Sequence, residues 1–347
     1  MAGEIKTAII GLGRAGWTLH ASPMSKIDAY KIVAAADVRE DRRKEAEQTY
    51  GCKTYESIED LLKNEKSIDL VVIATQSHVH AKESILALKK GCNVLSEKPF
   101  AVNSKEGKRV IEAWKKSGKI FTIHQSARLG ADVVYLKKFL KEDKRIGRVF
   151  HIRRTQIGFA RRKDWQTLRK YGGGSLNNNG VHGLDACRLL LDCEVKDVWG
   201  DLQKVNSAGD AEDHVKVMLR AKNGTTVDYE LTSACACSSP DWVIYGTLGT
   251  LWIESQKVHL KWYNPSDLPP IQPEDAASAA ERKYGFGETI PWKEETLDLP
   301  PYTGPNFHQL LADAIVKGKE LLVEPTMCQE VVEILERARK GTQFPPN

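Results

Sequence analysis

Ala8-Ile9-Ile10-Gly11-Leu12-Gly13-Arg14-Ala15-Gly16 decides the reading of this chain, because an apolar run breaks there into Gly-x-Gly-x-x-Gly. Gly11 lets the backbone turn sharply out of a first strand, Gly13 lets it approach a pyrophosphate, and Gly16 lets the next helix sit tightly on that strand. The phosphates would lie at the positive end of the helix. Three glycines at this spacing are a weak signal alone, since glycine-rich turns are common. The surroundings add weight: a β-rich run, Lys31-Ile32-Val33-Ala34-Ala35-Ala36, ends in Asp37, 21 residues beyond Gly16. An acid at that distance accepts hydrogen bonds from ribose hydroxyls and repels a 2′-phosphate, so NAD is expected in preference to NADP. Arg39, two residues on, is the group that would weaken this preference by swinging to the phosphate position.

Outward from this turn, short apolar runs alternate with longer amphipathic ones. Strands are expected at Thr7 to Ile10, Ile32 to Ala36, Leu70 to Ala74, Asn93 to Ser96 and Ile120 to Ile123. Helical spacing is present at Asp41 to Tyr50, His80 to Lys90 and Lys105 to Lys116. Such alternation predicts an α/β unit, a parallel sheet with helices on both faces and ligands beyond the carboxyl ends of the strands. Thr75-Gln76-Ser77-His78, Glu97-Lys98-Pro99 and His124-Gln125 are polar clusters at those ends. Past residue 125 the rhythm changes. A helix (Asp132 to Glu142) and a strand (Val149 to Ile157) precede a triple glycine, Gly172 to Gly174, and a helical stretch from Ser175 to Leu191. Alternating runs between Val195 and Leu260, joined by short turns, predict a mostly antiparallel open sheet. Asn264 to Gly304 reads as a long loop, and helices at Asn306 to Lys317 and Met327 to Lys340 follow. Residues 1–125 are thus expected to be a dinucleotide-binding domain and 126–347 an α+β domain for substrate binding and oligomerisation. The open sheet face needs a cover, so a homodimer or homotetramer is expected.

Composition narrows the alternatives. A chain of 347 residues is long enough for two cores. The net charge of +5 comes with 46 acids interleaved among the bases, and Lys137 to Arg145 reads as a solvated helix face, so no nucleic-acid partner is expected. Seven scattered cysteines and no apolar leader suggest reduced thiols in a cytoplasm. Cys235-Ala236-Cys237 reads as neighbouring positions on one sheet face, and no metal is expected. No run of 18 apolar residues suggests a membrane span.

Lys98 is the first catalytic candidate. Pro99 restricts the backbone of Lys98, whose side chain would project from a strand end into the cleft, hold a substrate hydroxyl and share a proton. His182 is the second, as the acid or base of its stretch whose ordinary pKa lies near neutrality, about 6.5. Asn178, four residues earlier, would share its helix face, whereas Asn177 and Asn179 read as cap residues. Arg161, Arg162, Lys163 and Trp165 precede the triple glycine in a loop able to reach over the cleft. An aromatic ring and cations there suit a sugar. Gln125 and Arg128 are candidates for contact with nicotinamide or substrate.

These motifs, in this order, resemble the glucose-fructose oxidoreductase, inositol dehydrogenase and MocA family over nearly the whole chain. Glu97-Lys98-Pro99 directly after Gly91 to Ser96, Ala74-Thr75 with His80, Gly180-Val181-His182 and the Gly246-Thr247-Leu248-Gly249 turn carry the likeness. It implies NAD(P)-dependent hydride transfer to or from a secondary alcohol or ketone of a sugar, sugar derivative or cyclitol. Lys98 and His182 would stand at the reacting carbon. The cofactor would be held by Gly11, Gly13, Arg14, Ala15, Gly16, Asp37, Arg39, Ala74, Thr75, His80, Glu97, Lys98 and Gln125, and the substrate by Lys98, Arg128, Arg161, Trp165, Asn178 and His182. Many polyol dehydrogenases of that family carry Asp where this chain has Asn178, which is neutral and cannot stabilise an imidazolium by charge. Asp185 reads as a structural polar contact. A lyase or glycosidase-like enzyme with retained NAD, and a non-catalytic nucleotide-binding sensor, are the alternatives on the same scaffold.

Overall fold

Six short strands, β1 (Ile5–Ile10), β2 (Tyr30–Ala36), β3 (Lys53–Tyr55), β4 (Leu70–Ile73), β5 (Asn93–Ser96) and β6 (Phe121–Ile123), form one parallel sheet in the order β3-β2-β1-β4-β5-β6. The computed structural model describes residues 4–272 and 288–346. Strand β4 (Leu-Val-Val-Ile) is buried throughout, as a central strand covered on both faces must be. A seven-residue π-helical turn, Ala15–Ala21, follows β1 and runs into α1 (Ser22–Met24). Helices α2 (Glu40–Tyr50), α3 (Ile58–Asn64), α4 (His80–Lys89) and α5 (Ser104–Ser117) complete this layer. Local chemistry sets their ends: the Asn103 side chain accepts from the Glu106 N–H at the start of α5, and left-handed glycines at 51 and 118 terminate α2 and α5.

The second sheet has eight strands: β7 (Val149–Ile157), β8 (Val195–Gln203), β9 (His214–Ala221), β10 (Thr226–Thr232), β11 (Trp242–Gly246), β12 (Gly249–Glu254), β13 (Lys257–Trp262) and β14 (Lys293–Asp298). Their order is β14-β13-β12-β11-β7-β10-β9-β8, antiparallel except where β7 and β10 run side by side. Alternate residues of β9 and β10, Val215, Val217 and Leu219 with Val227, Tyr229 and Leu231, enter one core under α6 (Ala131–Glu142) and α7 (Val181–Leu191). Two last helices, α8 (Phe307–Lys317) and α9 (Pro325–Arg339), return across the molecule. Phe307, Leu311, Cys328 and Val332 join the core of the parallel sheet, while Val331, Ile334, Leu335 and Ala338 join the other.

Three sequence expectations change. Lys53–Tyr55 and Ile58–Asn64 were not anticipated as strand and helix, because a three-residue edge strand is too short to show alternation. The long loop from Asn264 contains β14, an edge strand of charged residues with no apolar period; cross-strand pairs such as Lys257–Asp298 and Lys261–Glu294 accompany its pairing with β13. Part of that loop, residues 273–287, lies outside the described residues. Cys235 and Cys237 do not stand on a strand: β10 ends at Thr232, and the two sulfurs meet at 3.3 Å in the irregular segment before β11.

Candidate active site

Each glycine of the opening turn has its own reason. A side chain on Gly11, whose φ is +86°, would meet the Ala74 carbonyl at 2.8 Å; one on Gly16 would stand 1.7 Å from the Gly11 carbonyl oxygen. These two bring backbone against backbone. At Gly13 the nearest atom to an added Cβ is an Arg42 nitrogen 3.7 Å away, so this glycine faces a cleft. The cleft has a volume of about 750 Å³, with Gly11, Gly13, Arg14, Ala15, Asp37, Ala74 and Thr75 in its walls. N–H groups left without helical partners at the start of the Ala15–Ala21 turn would serve a pyrophosphate lying over Gly13. Backbone, helix start and acid therefore fit a dinucleotide.

Asp37 is buried and occupied. Its Oδ2 accepts from the Leu12 N–H at 2.7 Å and from Arg42 Nη1 at 3.3 Å, and its Oδ1 accepts from the Arg39 N–H at 2.9 Å. A carboxylate offers about four lone-pair sites, so capacity for a ribose hydroxyl remains. The Arg39 side chain points elsewhere: its guanidinium is forked onto Asp41 at 3.0 and 2.6 Å and does not line the cleft. Arg42, on the first turn of α2, takes the place expected of it. Glu83 also lines the cleft, accepting from the Thr75 hydroxyl at 2.5 Å, and burial pushes its carboxyl up to about 7.

A second cavity of about 390 Å³ opens beside this cleft, and Lys98, Glu97, His80, Arg162, Trp165, Gln166 and Asn178 line it. The Lys98–Pro99 peptide is cis. Lys98 Nζ donates to the Asn178 carbonyl oxygen at 2.6 Å and lies 3.4 Å from Asn178 Oδ1. Burial pushes the Lys98 ammonium below its usual range, the Glu97 carboxylate opposes this, and Arg162 and Arg14 add to the fall. Gln166 Nε2 donates to Asn178 Oδ1 at 2.8 Å, and the Gln166 side chain is itself bonded to Arg162. Asn178 is thus held from two sides. Its residues 176–180 form a second π turn ahead of α7, so the expected shared α-helical face with His182 is wound differently.

His182 Nδ1 is 2.6 Å from Gln125 Oε1. Since that oxygen only accepts, Nδ1 carries the proton and Nε2 keeps its lone pair. Burial, helped by the Lys98 charge, pushes His182 down to about 3, so the ring is neutral near pH 7. Neither His182 nor Gln125 is on the wall of either cavity, and the buried Gln125 holds His182 from behind. Arg128 is also displaced from its expected role. It is buried, with Nε and Nη2 each 2.7 Å from an oxygen of Asp185, and it ties the turn after β6 to α7. Arg161 is exposed and lines neither cavity; its neighbour Arg162 does.

A model of the oxidoreductase family with an NAD-binding Rossmann fold matches residues 5–125, and a model of the Gfo/Idh/MocA C-terminal domain matches residues 134–252. The chain belongs to the Gfo/Idh/MocA oxidoreductase family. It is 30% identical over 226 residues to the myo-inositol 2-dehydrogenase of Thermotoga maritima, an alignment covering 63% of this chain and 66% of that protein, just under two thirds of its length. A fuller alignment, 98% of this chain and 94% of the other, gives 23% identity to the scyllo-inositol 2-dehydrogenase (NADP(+)) of Bacillus subtilis. The solved NAD-binding protein from Listeria innocua superposes with a TM-score of 0.79 at 26% identity, covering 98% and 96% of the two chains. In this Gfo/Idh/MocA protein, Arg42, Glu83 and Gln166 stand in the cavities although no sequence motif marks them. Arg42 was within reach of inference, five residues after Asp37 on the first turn of a helix.

His80 and Glu97 sit deeper. His80 Nδ1 lies 2.8 Å from the Pro99 carbonyl oxygen and Nε2 lies 3.1 Å from that of Thr75, which links two cleft-lining segments. Burial alone would push the Glu97 carboxyl up; hydrogen bonds from His124 and His20 outweigh it and hold Glu97 well below its usual range. His124, expected at the cleft mouth, is instead buried against this carboxylate. Among the described residues no helix is long and apolar enough to cross a membrane.

Proposed function

We propose that this Gfo/Idh/MocA oxidoreductase transfers hydride between NAD and a secondary alcohol or ketone of a sugar, sugar derivative or cyclitol. The observation that carries this reading is Lys98 bonded to Asn178 in the cavity beside the glycine-turn cleft, with a neutral His182 close enough for the Lys98 charge to act on it. Bound NAD would supply the hydride acceptor. Lys98, with a weakened hold on its proton, would donate to the substrate oxygen and stabilise the charge that develops there. His182, fixed by Gln125 in the tautomer with Nε2 free, would take the hydroxyl proton. Asn178 would position Lys98 and bond to a neighbouring hydroxyl, and Trp165 would offer its ring to a sugar face. Asp37 at the ribose end favours NAD over NADP; the B. subtilis relative carries NADP(+) in its name, and Arg42 is the cation that would favour it here.

We place the division between nucleotide and substrate parts at residues 125 and 126, with α8 and α9 bridging them. Homo-oligomerisation is supported by the second sheet, whose face away from the helices presents Trp199, Tyr245 and Trp252, Trp199 being 58% exposed. A cytoplasmic location is supported by seven free cysteines. The deciding experiment follows nicotinamide absorbance with NAD and NADP against cyclitols, aldoses, glycosides and sugar acids, with Lys98→Ala and His182→Ala alongside. Turnover by the parent that both variants lose supports the assignment. Substrate cleavage with no net NADH would replace it by the retained-NAD lyase.

A further inference from the structure

Beneath Glu97, on the side away from the cavities, three histidines converge from segments far apart in the chain. His20 comes from the π turn after Gly16, His124 from the end of β6, and His308 from the first turn of α8. Their exposures are 0%, 7% and 5%. One ring nitrogen of each lies within 4.8 Å of one on both others. We propose that His20, His124 and His308 bind one divalent transition-metal ion of the zinc class, with Glu97 orienting two of the rings.

Glu97 Oε1 is 3.0 Å from His20 Nε2 and 2.8 Å from His124 Nδ1. With Glu97 a carboxylate, those two nitrogens carry the protons, leaving lone pairs on His20 Nδ1 and His124 Nε2. His308 Nε2 stands 3.1 Å from His20 Nδ1. In the metal-free chain this contact is an N–H···N hydrogen bond, while His124 Nε2 has no partner among the described residues. A metal replaces the shared proton and takes up the spare nitrogen. Zn–N bonds of 2.0–2.1 Å at tetrahedral angles put ligand nitrogens about 3.3 Å apart, which the His20–His308 pair already matches. Ring centroids separated by 4.6, 5.4 and 5.6 Å surround one centre, and small ring rotations bring the third nitrogen in.

The remaining features agree with this assignment. A carboxylate on the far nitrogen of a ligating imidazole fixes its tautomer and strengthens it as a donor. Glu97 does this for two rings and supplies buried negative charge. The Phe307 ring, packed edge-on against His124 at 4.9 Å, helps to close the site. Three imidazoles with no thiolate suit zinc, cobalt, nickel or copper rather than calcium or magnesium. The ion would tie the glycine-turn helix, the end of the parallel sheet and α8 together behind the Glu97-Lys98 segment.

The test strips the purified full chain with a chelator, dialyses it against Zn2+ or Co2+ for long enough to reach a buried site, and measures bound metal by elemental analysis. Expected are about one ion per chain and a higher thermal midpoint. His308→Gln and His124→Gln, checked for native circular dichroism, should each weaken binding by at least about tenfold. X-ray absorption of the zinc-loaded parent needs no variant and should show a nitrogen shell with three imidazoles. No uptake by the parent, sulfur ligands from Cys235 and Cys237, or undiminished uptake in folded variants would overturn the assignment.

Discussion

The cleft at the glycine turn and the cavity at Lys98 adjoin each other, yet they are built by different means. The first is largely backbone: two glycines press chain against chain, a third leaves space, and one acid closes the far end within 26 residues of Gly11. The second is walled by side chains from separate segments, among them Lys98, Arg162 to Gln166 and Asn178, held by one another. A backbone cradle depends on what is absent at a few positions. A side-chain cavity depends on partners that only the completed fold brings together.

The largest expected effect breaks the backbone half. Gly16→Ala places a methyl 1.7 Å from the Gly11 oxygen, so soluble folded protein should be lost or NAD binding abolished, whereas Gly13→Ala should fold and bind NAD weakly. Circular dichroism and titration of NAD separate the two, and equal behaviour would erase the distinction drawn between these glycines. In the side-chain half, Lys98→Ala should lower kcat/KM by roughly 10²–10⁴-fold while leaving the chain folded. A change confined to NAD affinity would move Lys98 from the substrate to the cofactor.

Arg128 sharpens the comparison, since it was expected at the ligand and is found in the frame. Arg128→Met leaves Asp185 buried without its partner and should cost about 3–5 kcal/mol in denaturant unfolding, with NAD affinity little altered. Loss of affinity without loss of stability would return Arg128 to the site. The smallest effect concerns pH. In the metal-free chain burial holds His308 at about 3, below its unfolded value near 6.5, so its contribution is fully present above 6.5 and is lost as pH falls toward 3. By pH 5 the loss from this residue is about 2 kcal/mol. Thermal midpoints at pH 7.5 and 5 should show it, and His308→Gln should flatten the slope.

The cradle was legible because its chemistry is local: the glycine spacing, the strand before it and Asp37 lie on one unit. Lys98 and His182 could be found as candidates because strand ends and a glycine-rich approach mark them. Their setting could not. Gln125 behind His182, Arg162 in place of Arg161 and Arg42 in place of Arg39 each depend on which way a side chain leaves the backbone, and sequence spacing leaves that open to within a residue or two. Asp185 was expected to be structural and is so placed, but its partner Arg128 lies 57 positions earlier. The charged edge strand β14 escaped notice for a related reason, its ladder being set by a neighbour rather than by an apolar period.

The way α8 and α9 serve both cores has a consequence for biosynthesis. The Tyr30 hydroxyl donates to the His308 carbonyl at 2.7 Å and the Thr122 hydroxyl to that of Val323 at 3.0 Å, so strands made early meet partners supplied by a segment made about 200 residues or more later. A ribosome that has translated both sheets still carries a chain with apolar flanks uncovered on each. Folding of either sheet to its final state therefore waits on segments made long after its strands, and a nonsense codon near residue 305 would leave an aggregation-prone product rather than a working half.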